Sequence, residues 1–513
     1  MQSLPQRETV DLMRVRCAGA DPLTVKLRLS NLFQGLDLRP AALPAGAILR
    51  IRHFADPLPG RIRVSGYAMF PPEEWRRAAQ AAIDRMAGLA VRPRHNAVPA
   101  DAPAIVFQDE PELLACMAAT VIRGSTDTAW WWSDVPPARF EPAAEVVRRL
   151  HQSPRLIPAF ADYLSASGEF VPWLGSIEPE RLRVLARAAA EAFALPSTWW
   201  EIAERVPASF PLDWEAPSPF SAAEPWASIA PEACAPGLQP GARYFAGMVL
   251  TLQRSPARVR SVEFASAVEC WIEQLERPSR EPPGSTPPPP EPAHPPEPSL
   301  PAPLSAAEPQ PVPAEPAASP PVAEPAALQH RPAAPLRIRN VLVPVRTALG
   351  GLFYLVNYGI YAGFYGDFTQ PLHPCLPLPV WDFIELLGRA LGPEPAPEFS
   401  ADDPVWQLLA ELSGREEDEP AGALFLPPEG LDVWLAETAC GARERLCLAL
   451  ELEDPTKLFP LLIARPARVY AGAANIDVVF PLDDLPLAIR YAGLDRDPGW
   501  VPAAGRTIAF HFE

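Results

Sequence analysis

Apolar and polar residues alternate with a period of two near the start of the chain, and with a period near 3.6 through much of the rest. Val25, Leu27 and Leu29 alternate with Lys26 and Arg28, and Ile48, Leu49 and Ile51 run into Arg52 and His53. Both runs predict strands, with GRIRV (60–64) as a third. PPEEWRRAAQAAIDRMAGLA opens on Pro and Glu, and its apolar residues fall at Trp75, Ala79, Ile83, Met86 and Ala90, the spacing of a helix. AIVF (104–107) predicts a short buried strand. DEPELLACMAATVIRG carries its own helix boundaries, with Asp109, Glu110 and Pro111 at the start and Gly124 at the end.

From Pro142 the pattern is helical. EPAAEVVRRLHQ, PRLIPAFADYLSA, EPERLRVLARAAAEAFAL, GARYFAGMVLTLQ and VRSVEFASAVECWIEQLER all fit the 3.6 period. Later, VWDFIELLGRAL (380–391) and DPVWQLLAELSG (403–414) begin near Pro and Asp and end at Gly. GLDVWLAETACGARERLCLALEL predicts a longer helix that turns to strand near its end. The last fifty residues read as β-rich, in the short runs ARVYAG, NIDVVFPL, LPLAIRYAGL and RTIAFHFE. Ile508, Phe510 and Phe512 alternate with Thr507, Ala509 and His511, as in a half-buried strand.

Composition divides these elements into two groups. Between Pro278 and Pro335, 22 of 58 residues are proline and most of the others are Ala, Glu and Ser. Such a segment lacks the backbone donors and apolar mass for a core. Extended at ~3.1 Å per residue, it reaches at most roughly 180 Å. AEP recurs at 307–309, 314–316 and 323–325 with irregular spacing, which makes no structural repeat. The expected organisation is an N-terminal region, 1–277, dividing near 140 if it divides at all; a linker, 278–335; and a C-terminal domain, 336–513. The fold class is α+β: a first region mixed and then mainly helical, and a second region of helices followed by short antiparallel strands.

The stretch GGLFYLVNYGIYAGFYGDFTQP raises a separate question. From Thr347 to Gly366, twenty residues carry no formal charge, long enough to span a bilayer. Gly359 and Gly363 have the small-residue spacing of packed membrane helices. Against a span stand five glycines, four tyrosines and Asn357, and the absence of a clear Lys/Arg asymmetry at the flanks. Tyr354, Tyr358, Tyr365 and Tyr361 share one helical face, with Leu349, Phe353, Ile360 and Phe364 on a neighbouring one. Three readings follow: the central helix of the second domain, a partner-binding face, or a span.

Charge and cysteine usage narrow the function. A formal net charge of −18 disfavours sequence-independent nucleic-acid binding and attachment to anionic membranes. Arg76/Arg77 with Arg92/Arg94 are the strongest basic positions, and they read as a solvated helix end. Seven scattered cysteines form no disulfide framework and suit a reducing cytosol. The N-terminus shows no apolar targeting segment, so the expected compartment is the cytoplasm.

Catalytic signatures are scarce. The phosphate-cradling G-x-x-x-x-G-K-[ST], H-E-x-x-H, G-x-S-x-G and the dinucleotide fingerprint are all absent. His373 with Cys375, and Cys440 with Cys447, are zinc-type ligands without the close pairing of a structural site, so no metal or other cofactor is expected. Asp495 and Asp497 in LDRDPGW mark a turn with Trp500 folded back on the core, and they offer too few ligands for a calcium loop. Asp402/Asp403, Asp483/Asp484 and the run Glu416–Glu419 read as solvated loops. Trp130, Trp131 and Trp132 are consecutive, so they cannot all face one core, and tryptophan is enriched where proteins meet.

Several phrases also carry a resemblance: AILRIRHFADPLPG (47–60), AIVFQDEPELLACMAATVIRG (104–124) with TAWWWSDV (128–135), the 350–371 stretch with VWDFIELLGRAL, and GLDRDPGWVPAAGRTIAFHFE (493–513). Together they resemble accessory proteins encoded in bacterial gene clusters for phage-tail-like contractile injection systems. The resemblance implies a part in assembling or accompanying such a particle, and it brings no catalytic or binding residues. The long helices of a tape-measure protein are missing from the pattern.

The expected function is therefore a non-enzymatic protein that binds components of a larger assembly, neither nucleic acid nor membrane. Its contact residues would be Trp130, Trp131, Trp132, Tyr354, Tyr358, Tyr361 and Tyr365, with two domains on a tether holding parts of the assembly at a distance. The alternatives are a motif-poor enzyme, such as a delivered hydrolase marked by a cleft joining acidic residues and a His, and a scaffold anchored in a membrane through 347–366.

Overall fold

The computed structural model describes residues 21–62, 71–124, 130–132, 142–207, 224–276, 343–365 and 376–513, except 22, 26, 30–37, 41, 95–97, 197, 377, 394–401, 416–418, 424–429 and 485. The Pro-rich linker, the division near 140, and His373 with Cys375 lie outside the described residues. The α+β class and the two folded regions are as expected.

The first region begins with a correction. Residues 23–25 and 27–29 are helical, and Val25 and Leu29 are buried while Leu27 is 59% exposed. A spacing of four places Val25 and Leu29 on one helical face, and alternation over five residues fits either period. Strand β1 (Ile48–Ile51) pairs antiparallel with β2 (Ala104–Phe107), Ile48 lying opposite Phe107. All four β2 side chains are buried, because both faces of the strand are covered and the run is apolar throughout. Of the expected third strand, the described residues 60–62 carry no strand. Between β1 and β2, helix α1 (Glu73–Leu89) buries Trp75, Ala79 and Ala82. The Trp75 indole donates to Asp56 Oδ1 at 2.8 Å.

Helix α2 (Glu110–Ile122) has the boundaries its sequence carries. Asp109 accepts from the Glu112 backbone N–H at 2.9 Å, Pro111 sits in the first turn, and Gly124 leaves the last turn at φ 67°. The helical series continues through α3 (Pro142–Gln152), α4 (Ile157–Ala166), α5 (Phe170–Ser176), α6 (Pro179–Ala192), α7 (Thr198–Arg205), α8 (Pro240–Arg254), α9 (Pro256–Val259) and α10 (Val262–Glu276). At the centre stands α8, buried along its length except at Gly241, with α4 and α6 packed on it. Small residues such as Ala242, Ala246 and Gly247 let the neighbours close in, and Trp226 occupies the space a β-carbon at Gly247 would need. Trp173, Trp199 and Trp226 are among the largest fully buried side chains. Each such aromatic contributes on the order of 2–3 kcal/mol through burial.

The second region is a five-stranded sheet packed with helices. Strands β3 (Val345–Thr347), β4 (Ala467–Ala471), β5 (Asn475–Phe480), β6 (Gly499–Val501) and β7 (Arg506–Phe512) lie in the order β3-β4-β5-β7-β6. The outer pairings are antiparallel as expected, but the central β5–β7 pair is parallel, with Ile476 opposite Ile508. A parallel pair needs a crossover. Helix α15 (Leu487–Tyr491) lies on it, so LPLAIRYAGL is a helix where a strand was expected. The other helices are α11 (Tyr354–Tyr361), α12 (Val380–Ala390), α13 (Pro404–Ser413) and α14 (Leu431–Ala449), and α14 stays helical to its end without turning to strand.

The uncharged stretch packs inside this region. A 3₁₀ turn (Gly350–Phe353) leads into α11, and Leu352, Phe353, Leu355 and Val356 are fully buried. Eight residues of α11 span ~12 Å, far short of the ~30 Å of a bilayer core. Among the described residues, no helix is long and apolar enough to cross a membrane. The glycine pair serves local packing. A β-carbon at Gly359 would overlap the Tyr365 phenol, which folds back over α11, and Gly363 ends the helix at φ 74°.

Candidate functional site

Trp130, Trp131 and Trp132 form a single 3₁₀ turn, in which successive residues are about 120° apart around the axis. The Trp130 and Trp131 rings meet edge to face, their centroids 5.9 Å apart at 89°. Both are partly buried against the first core. The Arg50 guanidinium, on β1, donates to the Trp131 carbonyl and fixes the turn against the small sheet. The Trp130 indole N–H is buried and finds no acceptor among the described residues. An unmet buried donor costs about 1–3 kcal/mol. The side chain of Trp132 lies outside the described residues.

The tyrosines take a different place. Tyr354, Tyr358 and Tyr365 are 1%, 5% and 2% exposed, and only Tyr361 reaches the surface, at 57%. Tyr354 stacks on Phe480 at 4.8 Å and meets Phe510 edge to face at 5.3 Å, both from the sheet. Burial raises the pKa of the Tyr354, Tyr358 and Tyr365 hydroxyls. The polar side of α11 grips a loop of its own region. Asn357 donates through Nδ2 to the carbonyls of Leu494 (2.9 Å) and Arg496 (2.6 Å), and the Tyr361 hydroxyl donates to the Gly493 carbonyl (2.8 Å).

That loop is LDRDPGW. Asp495 pairs with Arg490 at 3.0 Å, and Asp497 Oδ1 accepts from the Phe510 backbone N–H at 2.7 Å, so the two carboxylates serve the turn. Trp500 departs from expectation, because it packs on the core of the other region. Its indole donates to the Ala192 carbonyl at 3.1 Å, and its ring meets Phe193 edge to face at 5.1 Å.

The two regions therefore touch, a point that the sequence patterns leave open. Gln253 Nε2 donates to the Ala473 carbonyl at 2.9 Å, and Leu156 and Ala159 pack against Ala473 and Ala474 in the β4–β5 turn. Gly414, which caps α13 at φ 74°, lies against the end of α8, and a β-carbon there would overlap the Arg254 carbonyl oxygen. Arg506 is buried at the same junction and donates through Nε to the Gly472 carbonyl at 3.1 Å. Burial lowers its pKa to about 10, opposed by the nearby Asp162 carboxylate. Asp162 and Glu232 hold Arg254 at 3.1 and 2.9 Å, so two cations and two carboxylates stand together beside the joint.

Next to this junction the N-terminus of α2 holds a buried polar cluster that sequence reasoning missed. Arg92 pairs with Glu112 at 2.7 Å and donates to Gln108 Oε1 at 2.6 Å. The Tyr163 hydroxyl donates to Asp109 Oδ2 at 3.0 Å, and Arg94 lies over the Tyr163 ring at 4.4 Å. Burial, with the Glu112 carboxylate adding to it, pushes Asp109 up to about 7. Burial also pushes the neighbouring Cys116 thiol up to about 12, which makes it a poor nucleophile. Arg92 and Arg94 are thus half-buried in this cluster, whereas Arg76 and Arg77 pair with Glu73 on the solvated end of α1. The visible signal was Asp-Glu-Pro-Glu at a helix start, which reads as a cap and conceals the burial of Glu112.

His511 lies among acidic groups. Its Nε2 lies 2.8 Å from Asp477 Oδ1, and Asn475 Nδ2 donates to Asp477 Oδ2 at 2.8 Å. The Asp477 hydrogen bond raises the His511 pKa, with Asp497 and Glu513 adding to it. Among the described residues, no three His, Cys, Asp or Glu side chains are grouped to hold a metal ion. Cys440 is exposed and Cys447 buried, both as free thiols. Asp403 is not in a solvated loop, since it is buried and caps α13 by accepting from the Val405 backbone N–H at 2.9 Å and from the Thr347 hydroxyl at 2.6 Å.

In comparisons with protein-family models, curated proteins and solved structures, nothing matches the chain.

Proposed function

We propose that the chain is a non-enzymatic, cytoplasmic protein-binding factor that assembles or accompanies a phage-tail-like contractile injection particle. The observation that supports binding is the Trp130–Trp131 turn: two crossed indoles at the edge of a core, one with a buried N–H that no described group accepts. The partly exposed faces of these two rings offer apolar surface for a partner to cover, a role in which tryptophan is frequent at interfaces. Tyr361 joins this proposal as the exposed tyrosine of α11, while Tyr354, Tyr358 and Tyr365 contribute by holding the second core. The particle assignment rests on the resemblance of the sequence phrases alone.

The test is affinity purification of the tagged chain from its native host with mass spectrometry of what accompanies it. Recovery of tube, sheath or baseplate proteins with the wild type, and their loss with Trp131→Ala, is the expected result. Recovery of the chain alone would remove the assembly reading.

A second reading is favoured by the His511 surroundings. An imidazole oriented by Asp477 is the base-and-orienter half of a hydrolytic site, able to take a proton from water. Turnover in a hydrolase screen that disappears in His511→Gln would establish it.

A further inference from the structure

We propose that the face joining the two regions is a binding interface in its own right, holding residues 343–513 on the first region without the covalent connection through 277–342. Its occupant on the first region is fixed: the β4–β5 turn and the Trp500 side chain of this same chain. Three features give it the anatomy of an interface between separate proteins. The first is an aromatic anchor. Trp500 belongs by sequence to a strand of the second sheet, yet its ring packs against Phe193 in the first core, and its indole N–H is met by the Ala192 carbonyl at the end of α6. A half-buried tryptophan with its polar atom satisfied across the joint is of the residue type enriched at binding hot spots.

The second feature is polar matching around the anchor. Gln253 meets the Ala473 carbonyl, and buried Arg506 stands beside the Arg254–Asp162–Glu232 group. The third is close backbone approach. Gly414 leaves room for the Arg254 carbonyl, and its left-handed φ would strain any side chain placed there. None of these contacts uses a residue between 277 and 342, and the covalent connection raises the effective concentration of one face near the other.

The experiment uses the full chain with a specific protease site inserted after Gly284. The purified protein is cut to completion, then analysed by size exclusion and by surface-bound dissociation of the two fragments. The expected result is one species containing both fragments, and roughly 30-fold faster dissociation after cutting Trp500→Ala, the loss of about 2 kcal/mol that defines a hot spot. Trp500→Phe keeps the ring contact but removes the N–H, and should fall between the two. Gly414→Ala tests the same joint away from Trp500 and should also speed separation. Uncut samples of each variant are compared by circular dichroism and thermal unfolding, so a folding defect is told apart from weakened docking. Separation of the cut wild-type chain into two species would overturn the proposal. Equal retention of cut wild type and all three variants would overturn the assignment of Trp500 and Gly414.

Discussion

The chain has two aromatic-rich stretches, and they end in opposite situations. Trp130–Trp132 are consecutive, coil into one 3₁₀ turn, and leave two rings crossed at the margin of a core. Tyr354, Tyr358, Tyr361 and Tyr365 recur at helical spacing, and three of the four are inside. Spacing is what separates them. Tyr354 and Tyr358 lie one turn apart on α11 and are both buried, Tyr354 against Phe480 and Phe510 of the sheet, while Tyr365 lies beyond the helix and folds back over Gly359. Trp130 and Trp131, being consecutive, cross edge to face and are only partly covered by the first core. A tyrosine-rich helix with a second apolar face beside it is thus better read as a core element than as a contact surface.

Substitutions can break or sharpen this contrast. Tyr354→Ala should cost the most, on the order of 3–5 kcal/mol, since it leaves a cavity against Phe480 and Phe510; denaturant unfolding measures it. The Asp109 cluster gives the first region a pH response of the next size. Folded, Asp109 holds its proton up to about 7; unfolded, it releases it near 3.8. The folded state therefore binds more protons across that window, and this group's contribution to stability falls as pH rises from 3.8 to about 7. The contribution should reach a few kcal/mol, and Asp109→Asn should flatten it in urea melts at pH 5 and pH 8.

Smaller effects follow. Trp131→Ala should weaken partner capture while costing only about 1–2 kcal/mol of stability, because the ring is partly buried; comparing pull-down yield with the melting curve separates the two. Tyr361→Phe should cost about 1 kcal/mol, the hydrogen bond to the Gly493 carbonyl, and a loss above ~3 kcal/mol would show that this exposed tyrosine behaves like its buried neighbours.

Much of the fold was legible in the sequence. Helices with both a cap and a stop, such as those opened by Asp109 and Asp403, lie where the pattern puts them, because local chemistry fixes their ends. The misread segments are short. Val25–Leu29 fits two periods, and LPLAIRYAGL reads as strand until the parallel β5–β7 pair demands a crossover, a requirement set by pairing distant in sequence. The helices Phe170–Ser176 and Thr198–Arg205 have too few turns to display a period. Of the candidate contact residues, the Trp turn was visible as a steric contradiction in the sequence. The junction was not, since Trp500 satisfies a core pattern equally well whether the core belongs to its own region or to the other. Buried ion groups were hidden for a related reason: Arg92, Glu112, Asp162 and Arg254 look like ordinary surface charges until their burial is known.

Because both regions belong to one joined body, the chain between Glu276 and Val343 closes a loop on that body. The joint and the length of that segment are then nearly independent quantities. Closing a longer loop costs only ~0.6 kcal/mol per doubling of its length. Insertions, deletions or whole passenger sequences between Glu276 and Val343 can accumulate with little penalty to the body that carries them. A tag grafted between Glu276 and Val343 is therefore expected to leave the stability of the joined body nearly unchanged.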